Sequence, residues 1–199
     1  MLRRTRPSIA ILRDPSYARP MPTYVSLLRG INVSGKNRIP MADLRALYAR
    51  HGHRDVVTYV QSGNVVSRVG IRSARTVEES LAAAIAADLG LEVAVLVRTP
   101  AELRRVLARN PFVAEGADPT KLHVTFLATE PPRATATALD GTGFGPDRFR
   151  VQGRDVYVSC PGGYGRTTIN NAWFERKLGV TTTTRNWNTV SRLVALAGG

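Results

Sequence analysis

The hydrophobic pattern of this chain changes period repeatedly, and each change marks an element. Thr23 to Leu28 is rich in β-forming residues and predicts a strand. From Pro40 and Met41 the spacing becomes helical, with Leu44, Leu47 and Tyr48 on one face and Gly52 as the stop. Asp55 to Gln61 and Asn64 to Val69 are two further strand-like runs, joined through "SGN", whose glycine supplies the turn. Thr76 is the expected N-cap of a helix that turns Val77, Leu81, Ala84, Ile85 and Leu89 inward and closes at Gly90. Leu91 to Val97 completes the set as a short apolar strand. Strand, helix, strand, strand, helix, strand is the order of a split βαβ, or ferredoxin-like, module.

Thr99 and Pro100 cap a connecting helix that runs to Arg109, where "NPF" breaks it. The same element order then returns. Lys121 to Ala128 predicts a strand, Pro132 to Leu139 a weak helix, and Arg148 to Gln152 with Asp155 to Ser159 a hairpin around Gly153. Thr168 to Leu178 predicts a helix with Ile169, Ala172, Trp173 and Arg176 on one face. Thr181 to Thr184 is β-branched and strand-like, and a helix from Thr189 to Ala197 closes the chain. The fold class is therefore α+β: two ferredoxin-like modules, 21–98 and 121–199, with a connecting helix and linker over 99–120 and a C-terminal helix. The halves share element order without an obvious sequence repeat.

That topology groups the unusual segments. In a split βαβ module strands one and two run parallel with strand three between them, so "RGINVSGKN" and "QSGN" leave the sheet at one end. In the second half "PGGYGRTTINN" follows strand three and "TRNWNT" follows strand four, which are also parallel and share an end. These segments are built from glycine, asparagine and cations. Glycines let backbone N–H groups approach a ligand, and amides and cations suit an anion. The candidate ligand-binding residues are Arg29, Gly30, Asn32, Gly35, Lys36 and Asn37 of the first loop, and Gln61, Ser62, Gly63 and Asn64 of the turn. The second half contributes Tyr164, Gly165, Arg166, Asn170, Arg185, Asn186 and Trp187. Any one of them also serves ordinary turns and caps. Their convergence is what points to a site. No segment matches a P-loop or a dinucleotide-binding fingerprint.

Charge sharpens the class of partner. The chain has 199 residues, with 28 Lys and Arg against 15 Asp and Glu, a net charge of +13. That favours nucleic acid, phosphorylated small molecules or a membrane surface without choosing among them. Residues 1–20 carry five arginines and one aspartate, so without them the charge is still +9. This segment reads as a disordered basic extension, and Met21, directly before the first strand, is an alternative start. Its longest apolar run is too short for a signal-peptide core, and no run approaches the roughly 20 residues that cross a bilayer. Cys160 is the sole cysteine. It excludes an intrachain disulfide framework or a cysteine zinc site and suits a reducing cytoplasm.

Three stretches, "YVSLLRGINVSGKNRIPMADLRALY", "VVTYVQSGNVV" and "GYGRTTINNAWFERKLGVTTTTRNWNTV", resemble the family called domain of unknown function 1697. The resemblance runs from about Pro22 to Ala197. It implies two ferredoxin-like halves and no established activity. Family sequences often carry a second glycine where this chain has Ser34.

Other chemistry is sparse. His51, His53 and His123 lack metal-ligand company, so no metal and no cofactor is expected. Cys160 reads as a buried strand-end residue, Ser62 and Ser159 lack triad partners, and Glu175 is the main acid in the motif segments. Tyr24, Tyr59, Tyr157, Tyr164 and Trp187 lie in or beside strands, where aromatic rings on a ferredoxin-like sheet stack unpaired bases. The first reading is a cationic, Gly/Asn-lined cleft that binds nucleic acid. The alternatives are an enzyme acting on a nucleotide or other phosphorylated small molecule, with Arg29, Lys36 and Arg166 neutralising phosphate, and a protein-interaction module.

Overall fold

The computed structural model describes residues 21–33, 35, 37–139, 141 and 143–198. Expectations for residues 1–20, Ser34 and Lys36 lie outside the described residues.

The first module is β1 (Thr23–Leu28), α1 (Met41–Arg50), β2 (Arg54–Tyr59), β3 (Asn64–Arg68), α2 (Ala74–Leu89) and β4 (Val95–Arg98). After α3 (Pro100–Arg109) and the short α4 (Pro111–Ala114), the second is β5 (Leu122–Leu127), α5 (Arg133–Thr137), β6 (Arg148–Gln152), β7 (Asp155–Ser159), α6 (Asn171–Leu178), β8 (Thr182–Asn186) and α7 (Trp187–Leu196). The sheets have orders β2-β3-β1-β4 and β6-β7-β5-β8, antiparallel throughout, so both modules are ferredoxin-like.

Local chemistry sets most boundaries. At α3 the Thr99 hydroxyl accepts from the Glu102 N–H while the Glu102 carboxylate accepts from the Thr99 N–H, a reciprocal capping box with Pro100 in the first turn. Helix α2 begins earlier than its periodicity suggests, because Ser73, not Thr76, is the N-cap: its hydroxyl accepts from the Thr76 N–H. Helix α6 begins later, at Asn171, because the Asn170 side chain accepts from the Trp173 N–H. Its inward face is consequently Phe174 and Leu178, while Ala172 and Arg176 are exposed and Trp173 half-buried. Strand β4 is confined to Val95–Arg98, and Leu91 and Val93 pack on the core without pairing. Strand β8 runs on to Asn186, whose side chain caps α7 at once.

Three apolar clusters form the interior. One lies between the first sheet and α1 and α2 (Leu28, Leu44, Leu81, Ile85), and another between the second sheet and α6 (Phe149, Val158, Phe174, Leu178). The third joins the modules. Val25, Leu27 and Leu96 from the first sheet meet Val124, Phe126 and Tyr157 from the second, together with Leu103 and Val106 of α3 and Val190 and Leu193 of α7. The inner strands of both sheets are therefore covered on both faces, while the edge strand β2 stays largely open to solvent. Among the described residues no helix is long and apolar enough to cross a membrane.

Candidate functional site

The loop after β1 and the β2–β3 turn do leave the sheet together. Leu27 pairs with Asn64, Tyr59 pairs with Asn64, and the Leu28 N–H donates to the Gly63 carbonyl at 2.8 Å. Gly63, at φ +76°, is pressed against this contact: a Cβ there would stand 2.8 Å from Leu28 Cβ and 2.9 Å from Ile31 Cγ1. Asn32, at φ +54°, braces the loop. Its amide donates to the Ile39 and Gln61 carbonyls at 2.9 and 2.8 Å, and its Oδ1 accepts from the Ile39 N–H. Asn37, also at positive φ, donates to the Gly30 carbonyl at 3.4 Å.

Beside this loop the second module presents β8 and the end of α6. The Arg29 guanidinium donates through Nη2 to Glu175 Oε2 at 2.6 Å and through Nε to the Thr182 carbonyl at 3.1 Å. Glu175 Oε1 accepts from the Thr182 N–H, and Asn171 Oδ1 accepts from the hydroxyls of Thr182 and Thr184. Tyr164 donates to Thr184 Oγ1 at 3.0 Å and stacks on His123. A continuous polar chain thus runs from Arg29 through Glu175, Thr182, Asn171 and Thr184 to Tyr164. It links the first loop to the glycine-rich loop of the second module.

Between the modules opens a cleft of ≈ 940 Å3, walled by Arg29, Gly30, Val33 and Asn37 on one side and Glu175, Gly179, Val180 and Thr181 on the other, with Glu92 and Ala94 beside them. Its described lining mixes one arginine with two carboxylates, so it is not the uniformly cationic cleft expected from composition. Gly30 and Gly35 have positive φ and open space where a side chain would stand, which leaves their backbone accessible.

Several candidates serve the protein itself. Arg185 is 8% exposed, and its guanidinium donates to Asn64 Oδ1, the Leu28, Ser62 and Thr184 carbonyls and Thr183 Oγ1. Burial without a carboxylate lowers its pKa to about 10. No donor remains for a ligand. Asn64 also donates to the Tyr59 carbonyl and to Ser62 Oγ, so both side chains are spent. Asn170 and Asn186 are helix caps, and Trp187 is buried in the cluster between the modules. Tyr24 and Tyr157 are buried too, while Tyr59 on the edge strand β2 is half-buried, so the inner strands offer no exposed ring for stacking. Gly165 and Arg166 stay exposed on their loop, outside the cleft lining. Cys160 is buried, which raises its pKa to about 11.

Sequence reasoning missed Glu92, Ala94, Gly179, Val180 and Thr181, and singled out Glu175 only as the main acid of the motif segments. No local signal identifies them. They line the site because of how the modules dock, which periodicity does not encode.

The family model described as "Protein of unknown function (DUF1697)" matches residues 21–157, ending within β7, so the third motif stretch lies beyond it. The conserved bacterial protein SP0830 from Streptococcus pneumoniae has a similar structure, with a TM-score of 0.69 and 23% sequence identity, covering 89% of this chain and 99% of that one. At that identity the likeness is one of fold. No curated protein matches the chain.

Proposed function

The chain belongs to the family of proteins of unknown function DUF1697, and from that premise we propose that it binds a phosphate-bearing small molecule of nucleotide size in the cleft between its modules. The observation that carries this reading is the ≈ 940 Å3 volume walled by the Arg29–Asn37 loop, which is within the size range of small-molecule sites. Arg29 is already paired with Glu175, so it offers directed N–H donors rather than a free countercharge. Its Nη1 has no partner among the described residues, whereas Nε and Nη2 are held by Thr182 and Glu175 and fix the group's direction. Open backbone at Gly30, which lines the cleft, adds an N–H donor. Glu92 and Glu175 disfavour a bare polyanion and instead suit a ligand that also carries hydroxyl or amino groups, as a nucleotide does. Binding is the extent of the proposal, and no reaction step is assigned.

Nucleic acid in this same cleft is the weaker reading. The net charge of +13 supports it, but of the strand tyrosines Tyr24 and Tyr157 are buried and only Tyr59, on an edge strand, is left part-exposed for base stacking.

Native mass spectrometry of the protein purified from cells, followed by titration with the co-purifying species or a panel of nucleotides, tests the proposal. A phosphorylated small molecule should appear, and Arg29→Ala should weaken its binding about tenfold or more, the loss of one hydrogen bond to a charged group. No phosphorylated species and no nucleotide binding at millimolar concentration would overturn it.

A further inference from the structure

Among the described residues a group of exposed arginines lies away from the cleft. Helix α3 carries Arg104, Arg105 and Arg109, all exposed, and the edge strand β6 carries Arg148 and Arg150, also exposed. Strand alternation puts Arg148 and Arg150 on the face that meets α3 and α4. There their guanidinium carbons lie 4.8 and 6.0 Å from the centre of the Phe112 ring. Arg150 pairs in register with Tyr157, whose hydroxyl donates to the Val106 carbonyl of α3, so strand and helix form one continuous surface. Arg105 and Arg109 line a pocket against that same tyrosine.

Acids nearby are mostly engaged. Glu115 pairs with Arg148 at 2.7 Å and Glu102 with Arg154. Asp155 lies 3.8 Å from the buried Arg98, and Glu130 lines the same pocket without an ion-pair partner among the described residues. No described carboxylate pairs with Arg104, Arg105, Arg109 or Arg150. Cations four apart on a helix and two apart on a strand repeat at about 6–7 Å, which gives a row rather than a point. Stacking on Phe112 holds part of that row in place before anything binds, reducing the entropy cost of binding.

We propose that the surface formed by α3 and β6 binds the phosphate backbone of a nucleic acid. Arginine forks match phosphate oxygens, and a row of them suits a repeating phosphate chain better than a single small anion. The aromatic ring within the row is already covered by arginine and buried, so it is not available to stack bases. Binding is therefore independent of sequence.

The test is fluorescence anisotropy of the full chain with 20-residue single- and double-stranded oligonucleotides between 50 and 200 mM salt. Four phosphate contacts give a log–log slope of about −3 to −4, a loss of roughly a hundredfold across that range. The triple variant Arg105→Gln, Arg109→Gln, Arg150→Gln should lower the slope by two to three and the affinity at 50 mM salt at least tenfold. A control variant removing equal charge elsewhere, Arg54→Gln, Arg72→Gln, Arg176→Gln, should bind nearly as the parent does. Equal losses in both variants, or no binding of any oligonucleotide at 50 mM salt, would overturn the proposal. Neither outcome bears on the nucleotide cleft, whose lining contains none of these residues.

Discussion

Arg98 and Arg185 are exchanged between the modules. Arg98, the last residue of β4, crosses to the second module and donates to the Leu127 and Arg154 carbonyls at 2.7 and 3.2 Å. Arg185, near the end of the equivalent strand β8, crosses to the first and donates to the Leu28 and Ser62 carbonyls at 2.8 and 3.0 Å. Leu28 and Leu127 each end the first strand of their module, and Ser62 and Arg154 each lie in the turn before its third. The start of the third strand corresponds as well: Arg185 meets Asn64 at 2.6 Å, and Arg98 faces Asp155, each the first residue of its strand. The first lock closes with a hydrogen bond and the second with a longer ionic contact of 3.8 Å.

Each arginine satisfies carbonyls at a buried junction, so its removal strands them. Arg185→Met and Arg98→Met should each cost roughly 2–5 kcal/mol, since each buried carbonyl left without a donor costs about 1–3 kcal/mol. Arg185→Met and Asn64→Ala should combine with less than the sum of their separate costs, because they remove the same contact. Urea unfolding of the two single variants and the double variant measures both effects. A single-variant loss below about 1 kcal/mol would show that the locks are dispensable.

The modules themselves were legible because their signals are local. Thr99, Pro100 and Glu102 write the start of α3 within four residues, and Gly153 between two runs of alternating apolar and polar residues writes the β6–β7 hairpin. The shared end of the first loop and the "QSGN" turn also followed from topology alone. What Asn64 and Arg185 do was not legible, since an arginine in a β-branched run reads the same whether it faces solvent or a carbonyl of the other module. The cleft was hidden for the same reason. One side of it, Glu175, Gly179, Val180 and Thr181, is brought there by docking rather than by any motif.

The glycines of the first loop and its neighbouring turn should separate by experiment. Gly63 and Gly30 both have positive φ, but only Gly63 is crowded, with Leu28 Cβ 2.8 Å from where a methyl would stand. Gly30→Ala should cost about 1 kcal/mol from backbone strain alone, while Gly63→Ala adds overpacking of about 1–3 kcal/mol. Thermal melts of the two variants decide the matter. Equal destabilisation would mean that the Gly63 contact relaxes freely.

Cys160 should be inert in the folded protein. It is fully buried at the end of β7, and burial raises its thiol to about 11, so little thiolate is present at neutral pH. An aromatic disulfide reagent should label it only after denaturant is added, at a rate that follows unfolding. Rapid labelling under native conditions would show an accessible thiol.

His53 should make stability depend on pH in a defined direction. It is 4% exposed, its Nδ1 lies 2.9 Å from Ser67 Oγ, and its ring meets Tyr48 edge-on. Burial, assisted by the neighbouring His51, lowers its pKa from 6.5 to about 4. Between those values the unfolded chain holds a proton on His53 that the folded protein does not. Stability therefore rises with pH through this window and falls on acidification, by at most about 3 kcal/mol from this group. His123, also shifted downward by burial, acts in the same direction. The His53→Gln variant removes the titration while keeping a polar side chain. Urea unfolding of both proteins at intervals between pH 4 and 7 should show the difference in stability, parent minus variant, shrinking as the pH falls. A constant difference across that range would mean that His53 takes up its proton without opening the fold.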